Sequence, residues 1–232
     1  MKKEKKITVK FYLNTMLDAA TGDKGQKYYP LYIQVTYNRK NMQLKSKYGE
    51  YYEKMDKVNK ELMQFEEKML CKVIRHESSL ISGEYDMKGL KQKYEIYSGS
   101  VAEALENYLK PKLRLMILKT KDWLVPVLNF NDSRATTGRL YQAASKLFPD
   151  LEWFMNVKLQ EELEAYSYYQ RLYPEIFLSY TFPTLIEWAE GSYKKDLETK
   201  LKTTYKNKPE IIKKVTVLIE EAVAKNLKQL EN

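Results

Sequence analysis

Apolar and polar residues alternate along three runs within the first 48 residues of the chain. The runs are ITVKFYL (7–13), LYIQVTY (31–37) and MQLKSK (42–47). A period of two residues is typical of β-strands that bury only one face. The segment NRKN between the last two runs predicts a tight hairpin, because asparagine tolerates turn conformations. The pattern therefore predicts a small antiparallel sheet over residues 5–48.

The alternation assigns the polar residues of all three strands to one outward face. Such a face offers positive charge for phosphates, amides and hydroxyls for base edges, and two aromatic rings. A ribbon of two or three strands fits the major groove of DNA. The alternative is a solvated sheet surface, because lysines usually lie in water. The outward residues are Thr8, Lys10, Tyr12, Tyr32, Gln34, Thr36, Gln43, Lys45 and Lys47.

The apolar period changes to 3.6 residues after the sheet, which predicts a long helix over residues 53–82 that ends at Gly83. The segment Ser98-Gly99-Ser100 then predicts a joint between two domains, residues 1–97 and 98–232. Helical periodicity dominates the second of these. The predicted fold class is therefore α+β, with a small N-terminal three-stranded antiparallel sheet and helix followed by a mostly α-helical module.

Two features of the helical module bear on function. A helix predicted over residues 134–148, capped by residues 131–133, begins with a second candidate set of DNA contacts, since helix amides favour phosphate. The alternative is a solvated first turn. The last two predicted helices, 184–205 and 209–230, carry apolar stripes that either close the core or bind a protein partner or a second copy. The secondary candidate residues are Arg134, Thr136, Thr137 and Arg139.

The excess positive charge of the chain lies almost entirely in its first fifth. Residues 1–48 contain 11 basic and 3 acidic residues, a net charge of +8, whereas the whole chain contains 40 and 31, a net charge of +9. The remaining 184 residues therefore carry 29 basic and 28 acidic residues. A local positive field of this kind concentrates polyanions such as nucleic acids.

The runs ITVKFYLN and YPLYIQVTYNRKNMQLKSKYG, with a glycine-bearing loop between them, resemble the N-terminal arm-binding domain of tyrosine recombinases, the integrases of conjugative elements and prophages. The resemblance covers about residues 5–50. It implies a three-stranded sheet with a helix, the sheet entering the major groove of arm-type DNA sites. At the hairpin this chain has Asn38-Arg39 where the family often has Asn-Gly. The implied contacts are Lys10, Tyr12, Gln34, Thr36, Gln43 and Lys45 on the sheet, with Arg39 and Lys40 at the turn.

The catalytic residues of a tyrosine recombinase are not recognisable in this sequence. The reaction needs two arginines, a lysine and histidines around the scissile phosphate, but His76 is the sole histidine and the only arginine after residue 140 is Arg171. The chain also contains no GxxxxGK[ST], GxGxxG or HExxH motif. A single cysteine, Cys71, excludes an internal disulfide and a cysteine-based zinc cluster. We therefore predict no catalytic residues, no metal and no cofactor.

The leading functional prediction is a non-catalytic protein that binds double-stranded DNA, an accessory or truncated relative of integrases from a mobile element. One alternative is a protein–protein adaptor whose helical module is the interaction surface. A second is an RNA-binding protein, in which Tyr12 and Tyr32 stack on bases. No apolar run approaches the length that spans a bilayer, and no signal-peptide pattern follows MKKEKK. A cytoplasmic protein without membrane contact is therefore expected.

Overall fold

A computed structural model of the protein describes residues 6–17, 19–22, 25–82, 84–130, 135–173 and 183–230. Contacts between residues divide the chain into two compact units, residues 1–98 and 99–232. An antiparallel sheet dominates the start of the first unit, and the second is helical. The predicted α+β class is therefore confirmed. None of the helices in these described ranges has the length and apolar character needed to cross a membrane.

The sheet of the N-terminal unit has its longest strand, β3, at the centre. Strands β1 and β4 pair antiparallel with the same part of β3 and so lie on its two sides. The two-residue strands β2 and β5 pair with the beginning of β3, so the sheet extends beyond the three predicted strands and past residue 48. The strands are β1 (Thr8–Leu13), β2 (Ala20–Thr21), β3 (Lys27–Tyr37), β4 (Lys40–Lys45) and β5 (Tyr51–Tyr52).

A two-residue turn joins β3 to β4. Its residues, Asn38 and Arg39, have φ angles of +52° and +62°, and Tyr37 pairs with Lys40 across the turn. Positive φ at both central positions is the geometry of a type I′ turn, which matches the twist of the flanking strands. Asparagine adopts this conformation readily, whereas arginine does so at a steric cost that glycine would avoid.

The inner face of the sheet forms part of the hydrophobic core. Leu31, Ile33 and Val35 alternate along β3 and are fully buried. Leu31 packs against Leu62 near the start of helix α1 (Lys60–Leu80). Because odd-numbered residues of β3 face this core, the even-numbered residues from 32 to 36 lie on the opposite side.

Helix α1 is shorter than the predicted helix over residues 53–82. Residues 51–52 belong to β5 and residues 55–57 form a 3₁₀ turn. The Asn59 side-chain oxygen then accepts hydrogen bonds from the amides of Glu61 and Leu62, at 2.8 and 3.4 Å. This cap fixes the helix start. Gly83, the predicted helix end, lies outside the described residues.

The N-terminal unit ends with helix α2 (Leu90–Tyr97). The sequence alone predicts this helix between residues 87 and 94, with Asp86 as its cap. Instead, Gly89 precedes it with a φ angle of +75°, and Asp86 accepts a hydrogen bond from the amide of Lys88 in the turn before it, at 2.8 Å.

Helices account for almost all the regular structure of the second unit. Ser100 caps the first of them, its hydroxyl accepting from the amide of Glu103 at 3.0 Å. A proline inside a helix often divides it, but the helix runs unbroken through Pro111, which lies on the exposed side, where water can satisfy the carbonyl group that lacks a donor. The helices are α3 (Val101–Thr120), α4 (Leu124–Leu128), α5 (Thr137–Leu147), α6 (Val157–Leu172), α7 (Leu185–Ala189), α8 (Ser192–Thr204) and α9 (Pro209–Leu227).

The apolar stripes of the last helices pack inside this unit. Leu197, Leu201 and Val215 are fully buried. The helix predicted over residues 184–205 is divided, because Gly191 adopts a φ angle of +77° between α7 and α8. The aromatic residues that follow Asp150 also predict a helix from residue 150, but residues 149–154 form a 3₁₀ turn that leaves Trp153 85% exposed.

Candidate nucleic-acid interface

The strand register arranges the outward side chains in three rows across β1, β3 and β4. Each row contains one residue from each of these strands, as the predicted alternation requires. We call these nine residues the outward face. The rows are Thr8–Thr36–Asn41, Lys10–Gln34–Gln43 and Tyr12–Tyr32–Lys45.

The dimensions of the outward face suit a groove of nucleic acid. Neighbouring strands lie about 4.8 Å apart and residues two positions apart are separated by about 7 Å, so the nine Cα positions cover roughly 10 by 14 Å. The major groove of B-DNA is about 12 Å wide and admits a ribbon of strands. The backbone of a three-stranded sheet is therefore about as wide as the groove.

The positive charges on and beside this face are not compensated by carboxylates. Lys10 and Lys45 are exposed on the face, and Arg39 and Lys40 are exposed at the tip of the hairpin. Strands β1, β3 and β4 contain no acidic residue, and within the described part of the chain none of these four cations has an ion-pair partner. The Lys45 ammonium lies 5.3 Å from the ring centre of Tyr51. The charges are thus available to an external anion.

Amide and hydroxyl groups supply the remaining polar side chains of the first two rows of the face. Gln34 and Gln43 lie directly opposite each other, and the Thr36 hydroxyl donates to the Asn41 side-chain oxygen at 2.6 Å. Asn41 belongs to the face, although the sequence pattern had placed it in the predicted turn NRKN. The alternation of residues 41, 43 and 45 contained the signal that would have found it.

The two tyrosines of the face pack against each other. The ring centres of Tyr12 and Tyr32 are 6.0 Å apart, with an angle of 45° between the ring planes, and both residues are half-buried. Partial burial, together with the neighbouring Tyr32, raises the pKa of the Tyr12 hydroxyl. A tyrosine hydroxyl is in any case a protonated hydrogen-bond donor at neutral pH, which suits an acceptor such as a phosphate oxygen.

Lys47 lies outside the outward face, although the alternation had included it. The chain leaves the sheet after β4, and the Lys47 ammonium donates to the Glu95 carbonyl oxygen at 2.7 Å, near the end of α2. Its backbone amide donates to the carboxylate of Glu66 at 2.8 Å. A cation at a helix C-terminus is favourable, so Lys47 stabilises the fold of this unit in the structure.

Glu66 is the fully buried carboxylate that holds this corner of the unit together. Besides the amide of Lys47, it accepts hydrogen bonds from the hydroxyls of Ser46 and Tyr94 at 2.6 and 2.8 Å. Burial of Tyr94, and then the neighbouring negative charge, raises the pKa of the Tyr94 hydroxyl. Residues from the end of the sheet, α1 and α2 thus share one hydrogen-bonded centre.

The second predicted DNA contact, at the start of α5, is occupied by a carboxylate of the chain itself. Thr136 and Thr137 are buried, and the amide and hydroxyl of Thr137 donate to Glu106 at 2.8 and 2.7 Å. Thr136 caps the helix by accepting from the amide of Arg139 at 3.3 Å, so α5 begins three residues later than predicted. Arg134 and the predicted cap at 131–133 lie outside the described residues.

Among the described residues, no group of three or more histidine, cysteine, aspartate or glutamate side chains could hold a metal ion. The His76 ring packs edge-on against Tyr97, with 5.5 Å between ring centres, as expected of a packed residue.

Comparison of the chain with protein-family models, curated proteins and solved structures finds no match. The interpretation of the outward face therefore depends on its geometry and chemistry.

Proposed function

We propose that this protein binds double-stranded DNA without catalysis, inserting the outward face of its sheet into the major groove. The observation that carries the proposal is the combination of uncompensated lysines with planar amides on one three-stranded face. Lysines suit phosphates, and amides suit base edges. This role agrees with the resemblance to the arm-binding domain of integrases and would be that of an accessory relative.

The conformation of Arg39 supports a role for the hairpin tip. A positive φ angle at a non-glycine residue costs free energy, and residues that retain such a conformation concentrate at functional sites. Glycine would relieve the cost but would remove a guanidinium group from the exposed turn between β3 and β4. Arg39 and Lys40 are therefore proposed to contact the DNA backbone or a guanine beside the groove.

Duplex DNA is favoured over a single strand because of the arrangement of the aromatic rings. Proteins that bind single strands stack successive bases on accessible aromatic faces. Here Tyr12 and Tyr32 are half-buried and pack against each other, so part of each ring is already covered. The rest of the face is polar and is suited to hydrogen bonding within a groove.

The proposal is tested by titrating the full chain with a 30-base-pair duplex, and with a single-stranded DNA and an RNA of the same length. Fluorescence anisotropy at several salt concentrations gives affinity and salt dependence. We expect the duplex to bind most tightly, and Lys10→Ala and Lys45→Ala each to reduce the slope of log affinity against log salt by about one unit. Lys195→Ala, at an exposed position of α8 in the other unit, removes the same charge and is the control.

Two outcomes would overturn the proposal. In the first, single-stranded DNA or RNA binds more tightly than the duplex, which favours the RNA-binding alternative or a single-strand function. In the second, Lys195→Ala weakens binding as much as the two substitutions on the face, which indicates attraction to the overall charge. Circular dichroism of each variant shows whether it retains the native fold.

Protein binding by the helical unit is the second candidate function, and exposed apolar side chains favour it. Leu115 and Leu118 on α3 are about half exposed, and so is Phe154, although solvent-exposed leucines are often isolated. Leu197 and Leu201 on α8 and Val215 on α9, by contrast, are buried within the unit. If this function is correct, Leu115→Lys and Leu118→Lys should abolish capture of a partner without changing the affinity for DNA.

A further inference from the structure

The central row of the outward face places two glutamine amides beside each other. Gln34 and Gln43 are register partners in the β3–β4 hairpin, and Lys10 is the partner of Gln34 on the other side. Neither of the other two rows contains two amides. A glutamine amide has a donor and an acceptor in one plane, the pattern that matches N6 and N7 of adenine in the major groove. Lysine provides donors only, which suits phosphate or the acceptors of guanine.

The spacing of the two amides fits consecutive base pairs. Opposed side chains on neighbouring strands have Cβ atoms about 5 Å apart. Successive bases are stacked about 3.4 Å apart along the duplex. The rotatable bonds of the two glutamines cover the difference, whereas both amides cannot occupy the same adenine edge. Two amides in this row therefore address two adjacent bases.

The surroundings of the two amides also suit base reading. No side-chain hydrogen bond holds Gln34 or Gln43 within the described part of the chain, so neither has to break a protein contact in order to bind a base. Thr36 and Asn41, in the next row, are in contrast hydrogen-bonded to each other. Lys10 and Lys45 flank the amides from the two outer strands, at positions from which they can reach phosphates.

We propose that Gln34 and Gln43 read two adjacent A·T base pairs, each amide binding one adenine through N6 and N7, while the flanking lysines provide affinity that is independent of sequence. This inference rests on the proposed function. It adds a DNA sequence preference to that function. The preferred duplex contains two successive A·T pairs at the centre of the contact. Changes of base outside this step should affect binding less.

Selection of duplexes from a random pool with the full chain, at fixed salt, tests the inference. We expect enrichment of a site with two adjacent A·T pairs. Replacing one of these adenines by 7-deazaadenine removes N7 and preserves base pairing, and should weaken binding between about 5-fold and 100-fold. Gln34→Ala and Gln43→Ala should each lose the preference at one adenine while retaining affinity for random duplex.

Combining a glutamine substitution with a 7-deazaadenine substitution shows which amide contacts which adenine, because two changes at one contact do not add. In Gln43→Ala, the 7-deazaadenine that normally disrupts the Gln43 contact should cause no further loss, while the other 7-deazaadenine still does. Gln64→Ala is the matched control, because Gln64 is exposed on α1, whose apolar side packs against the inner face of the sheet. This control should preserve both the affinity and the preference of the native chain.

The result separates the inference from the proposed function. If the chain binds duplex without preference for adjacent A·T pairs, or if the preference survives both glutamine substitutions, adenine reading is wrong and duplex binding stands. If the chain binds no duplex, both are wrong. If preference is lost in each variant and coupled to 7-deazaadenine as described, Gln34 and Gln43 determine the sequence specificity.

Discussion

The outward face of the sheet and the helical unit use lysine in different ways. In the helical unit many lysine side chains are paired with carboxylates, for example Lys112 with Glu162 at 2.7 Å and Lys214 with Glu164 at 2.6 Å. On the outward face of the sheet, Lys10 has no carboxylate within reach among the described residues. Net charge alone does not distinguish a binding surface from a stabilising one. The absence of a nearby carboxylate is what marks a binding surface. A lysine without such a partner can bind an external anion, and no ion pair within the fold has to break.

The largest expected effect comes from breaking a pair in the helical unit. Glu162 is buried, and Lys112 lies 2.7 and 2.8 Å from its two oxygens, with the Tyr108 hydroxyl donating at 3.1 Å. Glu162→Ala leaves the Lys112 ammonium without this carboxylate, whereas the Tyr108 hydroxyl keeps Glu221 as an acceptor. The free energy of unfolding should fall by about 2–4 kcal/mol, the lower end being favoured because Lys112 is one-third exposed.

Chemical denaturation measures this loss, and the neighbouring residue provides its control. Glu161 is exposed on the same helix, so Glu161→Ala should change the free energy of unfolding by less than about 0.5 kcal/mol. Equal losses in the two variants would show that the Lys112–Glu162 pair has no special role. The same experiment sharpens the contrast with the sheet, where Lys10→Ala should leave stability unchanged.

A smaller effect of opposite sign is expected at the hairpin tip. Arg39→Gly relieves the positive φ angle and should raise the free energy of unfolding by about 0.5–1 kcal/mol. It also removes a cation that we propose for DNA contact, so affinity for duplex should fall. Arg39→Ala, which loses the charge but keeps a side chain at positive φ, should lower affinity to a similar extent without a gain in stability. A glycine variant with undiminished affinity would exclude Arg39 from the interface.

The smallest effect concerns acid titration of the helical unit. Hydrogen bonds from Tyr108 and then Lys158 hold the pKa of Glu221 below its ordinary value of 4.5. Because the folded state favours the ionised carboxylate, its contribution is fully present above the ordinary pKa and is lost as pH falls through the lowered pKa.

Thermal unfolding between pH 7 and pH 3 measures this contribution. Glu221 is partly exposed, so the change should remain below about 1 kcal/mol. Tyr108→Phe removes one donor and should flatten the decrease on acidification, whereas Lys10→Ala should leave the profile unchanged. A profile in Tyr108→Phe as steep as in the native chain would show that the hydroxyl does not set this dependence.

The sequence predicted the sheet better than the limits of the helices, and the reason is physical. A period of two residues determines which side chains share a face as soon as the register is known, so Lys10, Gln34 and Gln43 could be grouped in advance. Helix ends instead depend on single capping side chains. Asn59 and Thr136 begin α1 and α5 later than apolar periodicity suggests.

Two of the predicted contacts are engaged by distant segments of the chain itself, which the sequence pattern did not reveal. Lys47 continues the alternation of β4, but the end of α2, about 50 residues later, binds its ammonium. Likewise the start of α5 looked ready for a phosphate, but Glu106, 31 residues earlier, occupies the amide of Thr137. Periodicity along a strand or helix contains no information about such partners. Asn41 is different, because extending the alternation of residues 43 and 45 by one step would have placed it on the face. It was assigned to the turn because it lies in the segment NRKN.

The open sides of the sheet have a consequence for self-assembly. Within the described residues β1 and β4 pair only with β3, so each leaves backbone groups of an edge strand unpaired, the feature that lets β-proteins aggregate. Lys10 lies on the first of these edges, and Lys40 and Lys45 lie on the second. Their like charges oppose pairing with a second copy. A variant in which all three become alanine should therefore scatter light at concentrations where the native chain stays clear.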